Sequence, residues 1–170
     1  MTNQLNAKAD IETVRQSYQQ LLSQTESLIL ATVNPDGTPR ASYAPFIMDE
    51  QRQFYIFTSQ LAAHTANLLR TGQASVMLLE DEAVASQIFA RRRVTFQCQA
   101  SLIPRDSAEG KAALIQYETR FGKMVGLLKS LPDVQLFKLR PQSGSLVLGF
   151  GQAYELGGDR FEIIAHRERG

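Results

Sequence analysis

The stretch from Gln53 to Ala100 runs QFYIFTSQLAAHTANLLRTGQASVMLLEDE and, after a short break, IFARRRVTFQCQA. Its hydrophobic period changes from two to about 3.6 and back. It therefore reads as a strand, a helix over about Leu61 to Arg70, a second strand, and a further strand entered through three consecutive arginines. That order places cations and an imidazole at the rim of a β-barrel, where an anionic cofactor could lie.

The remainder of the chain continues the theme. Ile11, Val14, Tyr18, Leu21 and Leu22 share one face at helical spacing over residues 10–24, with Asp10 as N-cap and Glu12 in the first turn, after a flexible start over residues 1–9. SLILATVN ends at the turn signal Pro35-Asp36-Gly37, and ASYAPFIMD resumes the extended pattern, which predicts a hairpin. Asp49 to Arg52 is a second polar turn before FYIFTS. From Asp106, read as a cap, to Leu131 the apolar residues Leu114, Tyr117, Phe121, Val125 and Leu128 recur at helical steps, with Gly122 and Gly126 placed to split the helix in two. VQLFKLRP then alternates, SLVLGFGQAYEL extends it through a Gly-rich bend, and Gly157-Gly158-Asp159 turns the chain into RFEIIAH. Short strands joined by tight turns, with helices inserted, predict a mainly β (α+β) fold, an antiparallel barrel with peripheral helices.

Composition limits the function classes. At 170 residues and 44% hydrophobic content the chain is long enough for one well-buried core, a single domain over residues 1–170. With 18 Lys+Arg against 17 Asp+Glu, its net charge of +1 supplies no field for nucleic acid or an anionic membrane. Cys98 is alone within an alternating strand, which excludes a disulfide framework and predicts a buried thiol. No run approaches the ~18 consecutive apolar residues of a membrane span, and the start lacks a basic-then-apolar leader, so a cytoplasmic, membrane-free setting is expected.

The groups able to carry chemistry are few. His64 and His166 stand far apart, so no metal-ligand spacing exists, and no GxSxG, Walker loop or GxGxxG is present. His64 lies at the edge of a helix's apolar face. It reads as a partly buried helix histidine or, with Thr58, Ser59 and the helix's first N–H groups, as an anion contact. On a strand Arg91, Arg93 and Thr95 point to one side and Arg92, Val94, Phe96 and Cys98 to the other. A guanidinium pair suits two carboxylates or a phosphoryl group, while the alternative is a solvated charge run. His166, just beyond the last strand, is either an idle terminal histidine or an iron ligand, since neutral imidazole is a common ligand for iron. Asp133, at the head of a strand, is either a turn carboxylate or the partner that fixes such a ligand's tautomer.

Taken in order, LATVNPDGTPRASYAPF, FTSQLAAHTANL, IFARRRVTF, LPDVQLFKLRP and GFGQAYEL resemble the heme-utilisation proteins of the HugZ and HutZ type, within the pyridoxamine-phosphate-oxidase-like, FMN-binding split-barrel superfamily. The resemblance covers the chain from about residue 10 onward. It implies a six-stranded split barrel that forms a homodimer, with the site shared between protomers, and oxidative heme degradation that uses O2 and an electron donor to release iron. It assigns Asp133 the acid that contacts the ligand histidine across the dimer and Arg93 the arginine near the heme. His166 matches a histidine shortly ahead of the family's iron ligand: either His166 takes that role, or the ligand lies beyond Gly170, or heme is held in another way. In the flavin members the phosphate-binding cation after the FYxxTS-like strand corresponds to His64, a weaker anchor when neutral. Heme is thus the expected ligand. The alternatives are an FMN-dependent oxidoreductase using Arg91 and Arg93 for the phosphate, and a non-catalytic heme carrier.

Overall fold

The alternating runs do form strands, and a computed structural model, which describes the backbone of residues 2–167 and the side chains of residues 10–167, shows how they close. Strands β1 (Ser27–Val33), β2 (Pro39–Met48) and β3 (Phe54–Ser59) make an antiparallel meander. β4 (Gln73–Leu79) returns beside β1, β5 (Arg93–Ile103) beside β4, and β6 (Val134–Gly149) beside β5. The first half of β6 also pairs with β3, Ile56 opposite Phe137, so the six strands close into an antiparallel barrel. The rest of β6 runs past the closure to pair with β7 (Gln152–Gly157), which pairs with β8 (Glu162–His166). Around the barrel lie α1 (Thr2–Gln24), α2 (Ala63–Thr71), α3 (Ala108–Phe121) and α4 (Lys123–Ser130).

The period-two pattern fills the interior. Leu28 and Leu30 of β1, Phe54 and Ile56 of β3, Val94, Phe96 and Cys98 of β5, and Phe137 and Leu139 of β6 all point inward and are buried in one cluster. Burial pushes the Cys98 thiol up to about 12, so it stays protonated as a structural side chain. Gly144 stands opposite Phe96, and a Cβ there would come within 2.8 Å of the Phe96 ring, so only glycine lets β6 cross at this point. A second cluster, including Ile47, Tyr55, Tyr117, Val125 and Leu136, glues α3 and α4 to the outside of β2, β3 and β6.

Antiparallel order gives the barrel two mouths. One collects the ends of β1, β3 and β5 with the starts of β2, β4 and β6, and α2 packs there with Leu68 in the core. The other collects the opposite ends, and α1 seals it with Val14, Tyr18, Leu21 and Leu22. Tyr18 donates its hydroxyl to the Phe161 carbonyl at 3.2 Å while the Arg52 guanidinium lies over its ring.

Several local expectations change. α1 begins at Thr2, so Asp10 lies inside the helix and does not cap it; the flexible start expected for residues 1–9 concerns side chains outside the described residues. The cap of α3 is Ser107, whose hydroxyl accepts the Gly110 N–H at 3.0 Å, and not its neighbour Asp106. α2 begins at Ala63, which leaves Leu61 in the preceding turn and 91% exposed. Gly122, at φ 67°, does break the helical run into two.

Candidate functional site

At the α2 mouth the last residues of β3 and the first of β6 meet. Ser59 donates its hydroxyl to Asp133 Oδ2 at 2.7 Å, and the Gln60 N–H donates to the Asp133 carbonyl at 2.7 Å. Thr58 is buried, its hydroxyl 3.0 Å from that of Thr65 on α2. His64, half-buried in the first turn of α2, has its pKa held below the ordinary value, first by burial and then by the Arg40 guanidinium. Its imidazole is therefore uncharged near neutrality. Arg40 is itself fixed: its Nε–H donates to Asn34 Oδ1 at 3.0 Å, the same oxygen that accepts from Asn67 of α2 at 3.0 Å. Asn67 also reaches the buried Thr32 hydroxyl at 3.1 Å. Arg40 is the residue that sequence reasoning missed. Its signal was its place directly after the PDGTP turn, whose polar side chains had to bond something.

The arginines stand at the opposite mouth. β5 begins only at Arg93, so the expected pairing of Arg91 and Arg93 on one strand face does not form. The hairpin register sets Glu80 across from Arg92, and the acidic LLEDE stretch consumes two of the three cations. Arg92 pairs with the buried Glu80 carboxylate at 2.5 Å, while Arg91 donates to Glu82 at 2.8 Å and to the Glu80 carbonyl. Arg93 donates to the Arg91 carbonyl at 3.1 Å and makes no ion pair among the described residues. Of the triplet it is the guanidinium best placed to meet an external anion. It sits opposite Val147, near the end of β6.

His166 belongs to that same end. It is the last residue of β8 and not a loose terminus: its Nε2–H donates to the Gly151 carbonyl at 2.8 Å, and its ring meets Tyr154 edge to face at 5.1 Å. With Asp10, Ser17, Arg92 and Tyr154 it lines a recess of about 480 Å³. A larger open groove, about 1010 Å³, runs between α1 and the outer face of β1, β2 and β4, past Tyr43, Glu80 and Arg91. The predicted residues thus fall into two groups at opposite mouths, Thr58, Ser59, His64 and Asp133 at one, Arg91, Arg93 and His166 at the other. No group of three or more His, Cys, Asp or Glu able to hold a metal ion exists among the described residues.

The fold and these placements can be set against known proteins. The family model of pyridoxamine 5'-phosphate oxidase matches residues 14–148. The chain belongs to that family. Within the pyridoxamine 5'-phosphate oxidase family it is 42% identical over 145 residues to the heme oxygenase HutZ of Vibrio cholerae serotype O1, across 85% of this chain and 82% of the relative. A crystal structure of HutZ from Vibrio cholerae, described as a heme storage protein, matches at TM-score 0.74 and 36% identity, covering 79% of this chain and 95% of that one. ChuZ of Campylobacter jejuni matches at TM-score 0.80 and 26% identity, covering 91% of this chain and 63% of that one.

FMN-type members of this superfamily need an anchor for a flavin phosphate. Here the cation near His64 at the α2 mouth is Arg40, whose Nε–H is already given to Asn34, and at the opposite mouth the Arg91 and Arg93 expected to share a phosphate do not pair, Arg91 being spent on Glu82. The residues present fit that group poorly, and no step is derived through it. Among the described residues no helix is long and apolar enough to cross a membrane.

Proposed function

We propose that this protein binds heme between two copies of the chain and cleaves it oxidatively, with O2 and an external electron donor, to release iron. The observation that carries the reading is the separation of Asp133 and His166 to opposite mouths of one barrel. An acid and an imidazole so placed serve one site only when the α2 mouth of one copy meets the β8 end of another. Similarity to the heme oxygenase HutZ supports the same reading. Fold alone decides nothing, since the barrel hosts many functions.

Heme is the substrate, and its iron is where O2 is reduced. The chain's residues bind and orient it. Arg93 meets a propionate, and the ligand imidazole, His166 being the candidate, takes the iron. To do so through Nε2, His166 gives up its bond to the Gly151 carbonyl. Asp133 accepts the imidazole's other N–H, which fixes the tautomer and strengthens donation to the metal. A lone protonated Cys98 suits a reducing, cytoplasmic setting.

The test is a hemin titration of the purified protein, followed by ascorbate in air. The expected result is a Soret band rising to a stoichiometric endpoint, then bleaching with release of chelatable iron. Asp133→Asn should keep the endpoint and slow bleaching by about 10–100-fold, the usual cost of losing a partner behind a metal ligand. A saturable Soret band that ascorbate does not bleach favours the second reading, a heme carrier, which the description of the HutZ structure as a storage protein motivates. A protein that purifies yellow with flavin and takes up no hemin sinks both.

A further inference from the structure

Ser59 was expected to contact an anion, yet its hydroxyl is already committed. A serine hydroxyl has one proton to give and lone pairs to receive. The Leu61 N–H donates to Ser59 Oγ at 3.1 Å, and the single proton goes to Asp133 Oδ2 at 2.7 Å. The incoming N–H fixes where the hydroxyl points. The backbone at both ends is pinned as well, by Gln60 N–H to the Asp133 carbonyl at 2.7 Å and by the Thr65 hydroxyl to the Ser59 carbonyl at 2.6 Å. Asp133 Oδ2 is therefore occupied and its carboxylate plane set, while Oδ1 has no hydrogen-bond partner among the described residues. Beside it, Leu61 is 91% exposed and Leu131 39%, an apolar flank of the kind a second copy would cover.

We propose that Ser59 is a positioning residue: its hydroxyl holds the Asp133 carboxylate so that Oδ1 alone is presented to the ligand imidazole of a second copy. This rests on the heme reading above, in which Asp133 accepts a hydrogen bond from that imidazole. Thr58 and Thr65 set the turn, Ser59 sets the acid, and the acid sets the imidazole. Loss of the hydroxyl frees the carboxylate to rotate and weakens its grip on the ring.

The readout is the iron–imidazole stretching frequency of the ferrous heme complex, measured by resonance Raman spectroscopy, which senses the imidazole's hydrogen bond without turnover. Asp133→Asn should lower it. Ser59→Ala should lower it part of the way and slow heme bleaching about fivefold, the worth of one oriented hydrogen bond. Ser59→Thr should restore both. Should Ser59→Ala not fold, Ser59→Cys keeps the volume with a weaker donor and carries the same expectation. An unchanged frequency in Ser59→Ala beside a lowered one in Asp133→Asn overturns the role of Ser59 and leaves the heme reading standing. A Ser59→Thr variant that matches Ser59→Ala overturns it too, because the hydroxyl is then not the cause. An unchanged frequency in Asp133→Asn takes Asp133 off the imidazole and overturns this proposal, whereas failure of the heme reading itself is seen separately, as a wild-type protein that gives no saturable Soret band.

Discussion

His64 illustrates how surroundings, rather than residue type, decide what an imidazole does. Burial comes first and the Arg40 guanidinium second, and both disfavour its charged form. Its pKa is lower in the folded chain than the ordinary ~6.5 of an unfolded one. Between those two values the unfolded state binds more protons, so stability rises with pH there and is lost as pH falls below ~6.5. Thermal melts between about pH 7 and pH 5.5 should therefore show a steeper loss of Tm in the wild type than in His64→Gln, and equal slopes would show that His64 does not titrate with folding. Arg40→Gln should recover only part of the difference, because burial remains. At this scale the sequence was partly legible. It singled out His64, Ser59 and Asp133, but not that Ser59 and Asp133 bond each other across 74 positions. Nor did the RRR run reveal that Glu80 and Glu82 claim two of its cations, a consequence of hairpin register.

Among the elements, α3 is held by a contact that its hydropathy pattern does not announce. Gly110, in the first turn, lies so close to the preceding segment that an added Cβ would meet the Pro104 carbonyl oxygen at 2.2 Å. Backbone cannot yield as a flexible side chain can. Gly110→Ala should cost about 1–3 kcal/mol, seen as a lower urea midpoint with an unchanged slope. Gly126, inside α4, is the counter-case: nothing lies within 4 Å of its would-be Cβ. There Gly126→Ala should gain about 0.5–1 kcal/mol through helix propensity. A variant pair that moves in the same direction would show that neither spacing is felt. Periodicity, together with the turn signals, located the main helices and strands though not every boundary, α2 beginning at Ala63. It did not locate the barrel's closure, since Phe54 pairs with Leu139 and no local pattern encodes a contact so distant in sequence.

For the whole molecule, the question is what covers the sheet face that no helix reaches. α3 and α4 shield β2, β3 and β6, and α1 and α2 close the mouths, but the outer side of β1 presents Ile29, Ala31 and Val33, and β2 adds Tyr43, 66% exposed. A solvated antiparallel strand turns polar residues outward, whereas the outward residues of β1 from Ile29 to Val33 are all apolar. If a second copy related by twofold symmetry covers this face, as the proposed function requires, it brings two equivalent sites with it. If each site takes Asp133 from one copy and the ligand histidine from the other, Asp133→Asn and His166→Ala chains are each impaired when alone. Mixed dimers of the two, formed by co-expression under separate affinity tags, then contain one site with both residues lost and one with both intact. Heme bleaching by the doubly purified mixture should return to about half the wild-type rate. A mixture no more active than its parents would overturn the shared site. A His166→Ala homodimer that bleaches heme at the full rate would move the iron ligand away from β8 while leaving the role of Asp133 to be read from its own variant.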